Sequence, residues 1–320
     1  MNVLITGASG FIGRGIIKKL INKKNIHILA GVRSKIKTLK VRQLVIGNIQ
    51  RNTNFRNVLV NIDVVIHVAG IAHVREKKNI NISENIYDEV NHLGTLNLAQ
   101  QSFQAGVKKF IFLSSIKVNG EFTKKNTMFK GSDQPMPQDD YAKSKLNAEK
   151  SLVNNFINSE MKLVILRLPL VYGENVKANF LDLIKLIKEN IFLPFGAINN
   201  KRSFIYLENL VDIIYQCIHN NNVNGKVYLI SDGDDFSTSE IIQIIKEGIN
   251  TTLFNISIPI TILKIISVLL GKKQKFEKIT QSLVIDNSEI KKDLDWIPTF
   301  TGKKGILKTC DWFKVENNLK

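Results

Sequence analysis

The sequence predicts an α/β fold: a doubly wound parallel sheet with a smaller lobe toward the C-terminus. Short apolar runs rich in β-branched residues, beginning with Val3-Leu4-Ile5, alternate with helical patterns up to about Gly173. Such runs suit strands that helices bury on both faces. Glycines follow the first run directly. The chain has 320 residues, of which 44% are hydrophobic, so it can bury a large core.

The first glycines lie between a strand pattern and a helix pattern. Gly7, Gly10 and Gly13 follow the first apolar run, and apolar residues then recur at helical spacing from Ile12 to Ile21. In such a turn Gly7 permits a tight bend, Gly10 lets a pyrophosphate approach the backbone, and Gly13 lets the helix pack closely on the strand. The turn therefore predicts a Rossmann dinucleotide-binding fold. The cofactor contacts expected here are Gly7, Gly10, Phe11, Ile12 and Gly13.

We expect the chain to fold into two structural parts. Residues 1–173 would form the dinucleotide-binding domain, and residues 174–320 a substrate-binding lobe, with the active site between them. Residues 203–230 are expected to pack back on the first domain, so the boundary is not a single cut.

The end of the second predicted strand, from Ile26 to Arg33, bears on the choice of cofactor. A carboxylate at this position would hold the adenosine ribose hydroxyls and repel a 2′-phosphate. Here Arg33 follows Val32, with Ser34 and Lys35 next, so the corner is cationic. This favours NADP(H). NAD(H) is the alternative, in which Arg33 stacks on the adenine or only faces solvent.

Other predicted strands end in residues that suit the same crevice, because ligands bind outside the carboxyl ends of parallel strands. These strands are predicted at 44–46, 62–68, 110–113 and 163–168. The cofactor contacts expected at their ends are Asn48, Ile49, Val68, Ala69 and Gly70. His67, inside an apolar strand, is predicted to be a packed, hydrogen-bonded histidine. A loop is expected at 76–85 and a helix at 87–105.

Tyr141 and Lys145 open a predicted helix after a turn-rich segment. They are four residues apart and therefore share one helical face. A lysine beside a phenol favours the phenolate and makes the tyrosine usable as an acid or base near neutral pH. A pair of this kind is by itself common on protein surfaces, so its weight depends on the motifs around it.

Together these motifs resemble an extended short-chain dehydrogenase/reductase, of the nucleotide-sugar epimerase/dehydratase family. They fall in the family's order and cover nearly the whole chain. The motifs that carry the resemblance are the glycine turn, His67-Val68-Ala69-Gly70, Val90-Asn91 with Gly94-Thr95, Ser114-Ser115, Tyr141 with Lys145, and Arg167-Leu168-Pro169. Similar matches in the C-terminal part are Asn179-Phe180 and the segment from Arg202 to Leu207.

The resemblance implies roles for individual residues. Tyr141 would be the catalytic acid/base, Lys145 would bind the nicotinamide ribose and lower the tyrosine pKa, and Ser115 would hydrogen-bond the reacting sugar oxygen. Arg202 would meet the substrate diphosphate, and Ser114 would be structural or near the cofactor. The further contacts it implies are Asn91, Ser114, Tyr141, Lys145 and Pro169 for the cofactor, and Ser115, Lys117, Asn179 and Arg202 for the substrate.

Two departures from the family pattern affect what the resemblance implies. Val32 replaces an acidic residue, and Asn119 replaces the tyrosine of Val-Tyr-Gly. The reaction implied is at carbon 4 of a UDP-hexose in bacterial surface-polysaccharide (O-antigen, lipopolysaccharide) biosynthesis. Because Val32-Arg33 favours an exchanging NADP(H), a reductase of a UDP-4-keto-6-deoxy-N-acetylhexosamine is the first interpretation. The alternatives are a UDP-glucose or UDP-N-acetylglucosamine 4-epimerase, and a non-catalytic NADP-sensing protein.

The net charge and the cysteine content limit the other classes of function that the protein could have. The net charge is +17, but lysines are spread along the chain without an aromatic-interleaved basic stripe, so no nucleic-acid partner is expected. Cys217 and Cys310 are far apart, and neither a disulfide nor a metal site is predicted. A core strand at the first residues, without a leader, leads us to expect a cytoplasmic protein. We also expect a homodimer.

The strongest apolar run extends from Ile256 to Leu270. It contains Pro259 and Lys264 and is shorter than the roughly 20 apolar residues that span a bilayer. No transmembrane segment is therefore expected, and the run is predicted to be a buried or lobe-covering helix. Lys272, Lys273 and Lys275 flank it and leave peripheral membrane contact as an alternative.

Overall fold

The computed structural model describes residues 1–72, 85–189 and 191–318, without the side chains of Asn85 and Lys275. Nearly all of the loop predicted at 76–85 lies outside these residues.

The centre of the molecule is a seven-stranded sheet in which every pair of neighbours is parallel. Its strands are β1 (Asn2–Thr6), β2 (His27–Val32), β3 (Arg42–Val45), β4 (Val64–His67), β5 (Lys109–Ser115), β6 (Lys162–Leu168) and β10 (Lys226–Leu229). The spatial order is β3-β2-β1-β4-β5-β6-β10. The direction of winding reverses between β1 and β4, as in a Rossmann fold, which confirms the predicted doubly wound sheet.

Helices cover both faces of this sheet. The helices of this part are α1 (Phe11–Leu20), α2 (Asn85–Tyr87), α3 (Gly94–Gln104), α4 (Asp140–Phe156) and α6 (Leu207–His219). One apolar core lies under α1 and α6, and a second lies under α3 and α4. All seven residues of β5 are buried, and its four central residues, Phe110 to Leu113, form a continuous apolar run.

The helix predicted at 87–105 is interrupted. A π-helical stretch, Asp88–Leu93, joins α2 to α3. A π turn adds one residue without changing the apolar character of the segment, so helical periodicity alone does not reveal it. The third strand is also displaced toward the N-terminus, at Arg42–Val45 rather than 44–46.

The C-terminal lobe contains two small sheets and, among the described residues, six helices. The lobe strands are β7 (Leu170–Tyr172), β8 (Phe192–Leu193), β9 (Arg202–Tyr206), β11 (Asp235–Phe236) and β12 (Phe254–Asn255). Its helices are α5 (Asn179–Glu189), α7 (Thr238–Ile249), α8 (Ile260–Leu269), α9 (Lys273–Thr280), α10 (Ser288–Leu294) and α11 (Gly302–Glu316). A third apolar core joins α5, α7 and α11 to β7 and β9.

The segment between these lobe elements returns to the first part of the chain. β10 pairs with β6 in the central sheet, and α6 packs against α1. The boundary at residue 173 stays a prediction.

Helix α8 differs from its predicted environment. The sequence predicts a buried or lobe-covering helix, but only Leu263 and Ser267 of α8 are buried. Its other apolar side chains are exposed, because one narrow face of the helix contacts the lobe and the rest is apolar as well. Among the described residues, no helix is long and apolar enough to cross a membrane.

Candidate active site

The glycine turn lies where the winding of the sheet reverses, at the carboxyl ends of β1 and β4. Gly7 has φ +67°, and a Cβ there would lie 2.7 Å from the backbone nitrogen of Ala69. A Cβ on Gly13 would lie 2.3 Å from the carbonyl oxygen of Gly7. The backbone segments approach each other so closely that glycine is required at both positions.

The start of α1 fits a pyrophosphate. Gly10 is its N-cap residue and supplies no side-chain cap, and the first turn contains no acidic residue. The first amides of the helix therefore point outward without a side-chain acceptor, which favours an anionic ligand. Phe11 and Ile12 are half-buried at the same end of the helix.

His67 is fully packed behind the crevice. Its Nδ1 lies 2.6 Å from Thr6 Oγ1 and its Nε2 lies 2.9 Å from Thr95 Oγ1. Burial, and then the charge of Lys145, lower the pKa of His67 to about 3. The prediction of a packed, hydrogen-bonded histidine is confirmed.

Ser115, Tyr141 and Lys145 meet at the carboxyl end of β5. Asp139 caps α4 by accepting a hydrogen bond from the Ala142 amide at 2.7 Å, and this fixes Tyr141 in the first helical turn. The side chains of Tyr141 and Ser115 are hydrogen-bonded to each other. One turn further on, Lys145 Nζ donates to the carbonyl oxygen of Leu113 at 2.9 Å.

Burial changes the proton affinities of both α4 side chains. It lowers the pKa of Lys145 to about 8, against the opposing charge of Glu149. It raises the pKa of Tyr141, and the hydrogen bond from Ser115 only partly offsets this. Lys145 is not among the groups that shift this pKa, and its effect on the tyrosine stays a prediction. The Ser115 hydroxyl is the group that favours the phenolate.

A buried ion pair lies behind these residues and was not predicted from the sequence. Glu149, on α4, receives hydrogen bonds from Arg167 Nε and Nη2, the latter at 2.6 Å. The hydroxyl of Ser114 donates to the same carboxylate, and Arg167 Nη1 donates to Asn119 Oδ1 at 2.8 Å. Asn119, at the position of the family's tyrosine, is thus a buried partner of Arg167. Ser114 is part of this network, which ties α4 to β5 and β6.

Asn91 connects the crevice to α4. Its side chain accepts from the Ile71 amide at 2.8 Å and donates to the Ile71 carbonyl at 2.9 Å and to Ser144 Oγ at 3.1 Å. A Cβ on Gly70 would lie 3.1 Å from Asn91 Oδ1 and 3.3 Å from Lys145 Nζ. Asn91, Gly70 and Lys145 are therefore neighbours, and the polar atoms of Asn91 are occupied by protein groups.

Two of the candidate substrate residues, Lys117 and Arg202, are held by groups of the protein itself. Lys117 forms an ion pair with Asp139 and lies 3.5 Å from Glu121. Arg202, on β9, donates to the carbonyl oxygens of Lys278 and Gln281, both at 3.1 Å. Burial lowers the pKa of Arg202, and the charge of Glu121 opposes this shift. The negative charge of Glu121 therefore acts on both Lys117 and Arg202.

Some predicted residues do not converge on the crevice through their side chains. Arg33 is exposed and has no hydrogen bond or ion pair within the described parts of the chain, and Asn48 is also exposed. Ile49 is buried in the core under α3, and Pro169 is buried between β6 and β7. Asn179 is exposed at the first position of α5.

Metal chemistry has no candidate ligand set in the part of the chain that the structure describes. No group of three or more His, Cys, Asp or Glu residues is placed to hold an ion there. The two cysteines are buried and free.

The sheet, the glycine turn and the Ser-Tyr-Lys arrangement define a dinucleotide-dependent enzyme of the short-chain dehydrogenase/reductase type. Residues 3–231 match the family described as the NAD dependent epimerase/dehydratase family, and the chain belongs to this family. The alternative of a non-catalytic sensor is therefore not retained.

Two curated relatives give the family context. A UDP-glucose 4-epimerase of Vibrio cholerae is 39% identical over 318 residues, which cover 99% of this chain and 97% of the relative. The N-acetyl-alpha-D-glucosaminyl-diphospho-ditrans,octacis-undecaprenol 4-epimerase of Escherichia coli O157:H7 is 29% identical over 263 residues, 81% of this chain and 75% of the relative.

Solved structures share the fold. A UDP-glucuronic acid 4-epimerase from Bacillus cereus, in complex with UDP-glucuronic acid and NAD, aligns with a TM-score of 0.78 at 22% identity. The alignment covers 99% of this chain and 100% of that chain. A UDP-glucose 4-epimerase from Thermotoga maritima, with UDP-glucose, aligns with a TM-score of 0.75 at 20% identity and the same coverage of both chains.

Proposed function

We propose that this enzyme interconverts the two configurations at carbon 4 of a UDP-hexose and uses NAD(H) as its cofactor. The observation that carries the proposal is the similarity to the Vibrio cholerae UDP-glucose 4-epimerase, which extends over 99% of this chain. The arrangement of Ser115, Tyr141 and Lys145 supports it, because these side chains supply the proton chemistry that such a reaction needs.

The chain's own groups would act as follows. Tyr141 takes the proton from the sugar 4-hydroxyl and later returns it, and Ser115 hydrogen-bonds the same oxygen. Lys145, held by the Leu113 carbonyl, positions the nicotinamide ribose beside the tyrosine. The bound nicotinamide supplies the acceptor and donor for the hydride of carbon 4. Epimerisation requires that the hydride return to carbon 4 of the same sugar from the opposite face of that carbon, and that a proton return to the oxygen on carbon 4.

The crevice fits NAD(H). The uncapped start of α1 suits the pyrophosphate, and the glycines at Gly7 and Gly13 let the turn pack closely against the backbone of Ala69 and of the turn itself. Ala69 and Gly70 border the same crevice. Arg33, which favours NADP(H) in the sequence, is exposed and has no partner among the described residues.

The second candidate function is reduction of a UDP-4-keto-6-deoxy-N-acetylhexosamine. The observation that favours it is the cationic end of β2, where Val32 replaces a ribose-binding carboxylate and Arg33 follows. A net reductase must exchange its cofactor at each turnover, and it gains from a site that accepts NADPH. We retain surface-polysaccharide biosynthesis as the process. We also retain the cytoplasm as the compartment, since two buried free thiols suit reducing conditions.

Parallel incubations of purified protein test the proposal. UDP-glucose and UDP-N-acetylglucosamine are supplied without added cofactor, and UDP-4-keto-6-deoxy-N-acetylglucosamine is supplied with NADPH or NADH. Interconversion of gluco and galacto forms, with no net change in cofactor, is the expected result. Stoichiometric oxidation of the added reduced cofactor, with no epimerisation, would overturn the proposal in favour of the reductase.

A further inference from the structure

The outward face of α8 is apolar, although none of the described residues covers it. Leu263 and Ser267, four residues apart, form the side of the helix that contacts the lobe. Ile262, Ile265 and Leu269 lie on the opposite side of the helical wheel. Ile265 is 62% exposed and Leu269 is 79% exposed. A surface helix usually turns polar side chains to solvent, whereas α8 turns an apolar face to solvent.

A neighbouring strand pair extends this apolar surface. β12 pairs with β8, and Phe254 is directly opposite Phe192. Both rings are more than 60% exposed, and Ile191 beside them is 74% exposed. Only residues 256–259 connect β12 to α8, and Ile256 among them is also exposed. We call this surface, from β8 and β12 through α8, the apolar face.

Within the segment that carries β12 and α8, the charged side chains have one sign. Residues 248–276 contain four lysines and no aspartate or glutamate. Lys264 and Lys272 are exposed and form no ion pair within the described residues, whereas Lys273 lies 3.9 Å from Glu277. A surface that joins exposed aliphatic and aromatic side chains to unpaired lysines is complementary to an anionic lipid surface.

We propose that the apolar face docks this enzyme on the surface of an anionic lipid bilayer. Helix α8 has 10 residues and is about 15 Å long, half the thickness of the hydrocarbon core. It therefore lies in the interface, with Ile262, Ile265 and Leu269 among the acyl chains. Lys264 and Lys272 contact the headgroups. Exposed apolar patches of this kind are uncommon on a surface that stays in water.

A second copy of the chain suits this surface less well. In a two-fold symmetric contact the same patch faces itself. The lysines around one apolar face would then approach the lysines of the other, with no acidic residue from 248–276 to compensate them. The phosphates of anionic lipids supply the negative charge that a second copy lacks.

Vesicle co-sedimentation of the full chain tests the proposal. Vesicles of phosphatidylcholine alone are compared with vesicles that contain about one third phosphatidylglycerol. The test variant is Ile265→Glu with Leu269→Glu. The matched control is Ile297→Glu with Val315→Glu, because these residues are 81% and 77% exposed elsewhere on the lobe. Both double variants change the net charge equally, so general attraction of a cationic protein is the same in both.

We expect the wild type and the control to bind the anionic vesicles, and the test variant to lose at least tenfold in affinity. Lys272→Gln should weaken binding about fivefold. Equal loss in both double variants, or no binding by the wild type at physiological salt, would overturn the proposal. So would a dimer that dissociates in the test variant without any lipid binding, since a second copy would then cover the face. Far-UV circular dichroism confirms that each variant is folded.

Discussion

Charged and apolar side chains are distributed in opposite ways in the catalytic crevice and on the apolar face. Around the crevice Glu149, Arg167 and Lys145 are buried, and each has a partner within the protein. On the apolar face isoleucines and leucines are exposed, and lysines surround them. Buried charge costs free energy unless it is paired, and exposed apolar surface costs free energy unless it is covered. The buried charges are paired within the chain. The exposed apolar surface has no such partner in the described residues, which points to a partner outside the chain.

The largest expected effect is on the chemistry of the crevice. Replacing Tyr141 by Phe removes the proton donor and acceptor but keeps the ring, so turnover should fall by about 10² or more. Binding of the cofactor should survive, which isothermal titration with NAD can measure. A variant with unchanged turnover would show that Tyr141 is not the acid/base.

The buried ion pair of the crevice can be compared with an exposed one. Glu149→Gln leaves the Arg167 guanidinium buried without a counter-charge, and should lower the free energy of unfolding by about 3–5 kcal/mol. The control is Glu174→Gln, which breaks the exposed pair with Lys18 and should cost about 1 kcal/mol or less. Urea denaturation measures both. Equal effects in the two variants would contradict the role of burial.

The packed histidine makes the stability of the first domain depend on pH. The folded pKa of His67, about 3, is below its ordinary value of 6.5. The unfolded state therefore binds more protons between these pH values, and stability falls as the pH is lowered through this range. The slope expected from this group is about 1.4 kcal/mol per pH unit. The difference between wild type and His67→Gln in urea midpoints isolates it, and parallel pH profiles would contradict it.

The smallest expected effect concerns the exposed end of β2. If NAD is the cofactor, Arg33→Ala should change NAD affinity less than about threefold, since the side chain has no fixed partner. Loss of a charge-assisted contact to a 2′-phosphate would instead weaken NADP binding about tenfold or more. Titration of both cofactors separates these outcomes. Preference of the wild type for NADP, removed by Arg33→Ala, would support the reductase.

Local signals in the sequence were sufficient for the fold and for the helix that carries Tyr141 and Lys145. The strand at Val3-Leu4-Ile5, the glycines after it and the spacing of Tyr141 and Lys145 are patterns within a few residues, and the structure has the predicted sheet there. The partner of Arg167 could not be predicted in this way. Glu149 is 18 residues away and reads as an ordinary helical glutamate until the packing of α4 on β6 is known.

The apolar run at 256–270 shows a second limit of prediction from sequence, because its environment was predicted wrongly. Hydropathy identified it, but hydropathy does not determine what covers a helix. The inward face of α8 is set by its contacts at Leu263 and Ser267, and the remaining apolar residues are left outside. The sequence predicted burial because most apolar helices in globular domains are buried.

Isotopic labelling tests the proposed reaction most directly. UDP-glucose deuterated at carbon 4 is incubated with the enzyme in ordinary water, and the epimer is isolated and examined by NMR. If the hydride returns to the same carbon, the product keeps its deuterium at carbon 4, and none appears in solvent. Loss of the label to water, or its transfer to added oxidised cofactor with release of a keto sugar, would contradict the proposed epimerisation.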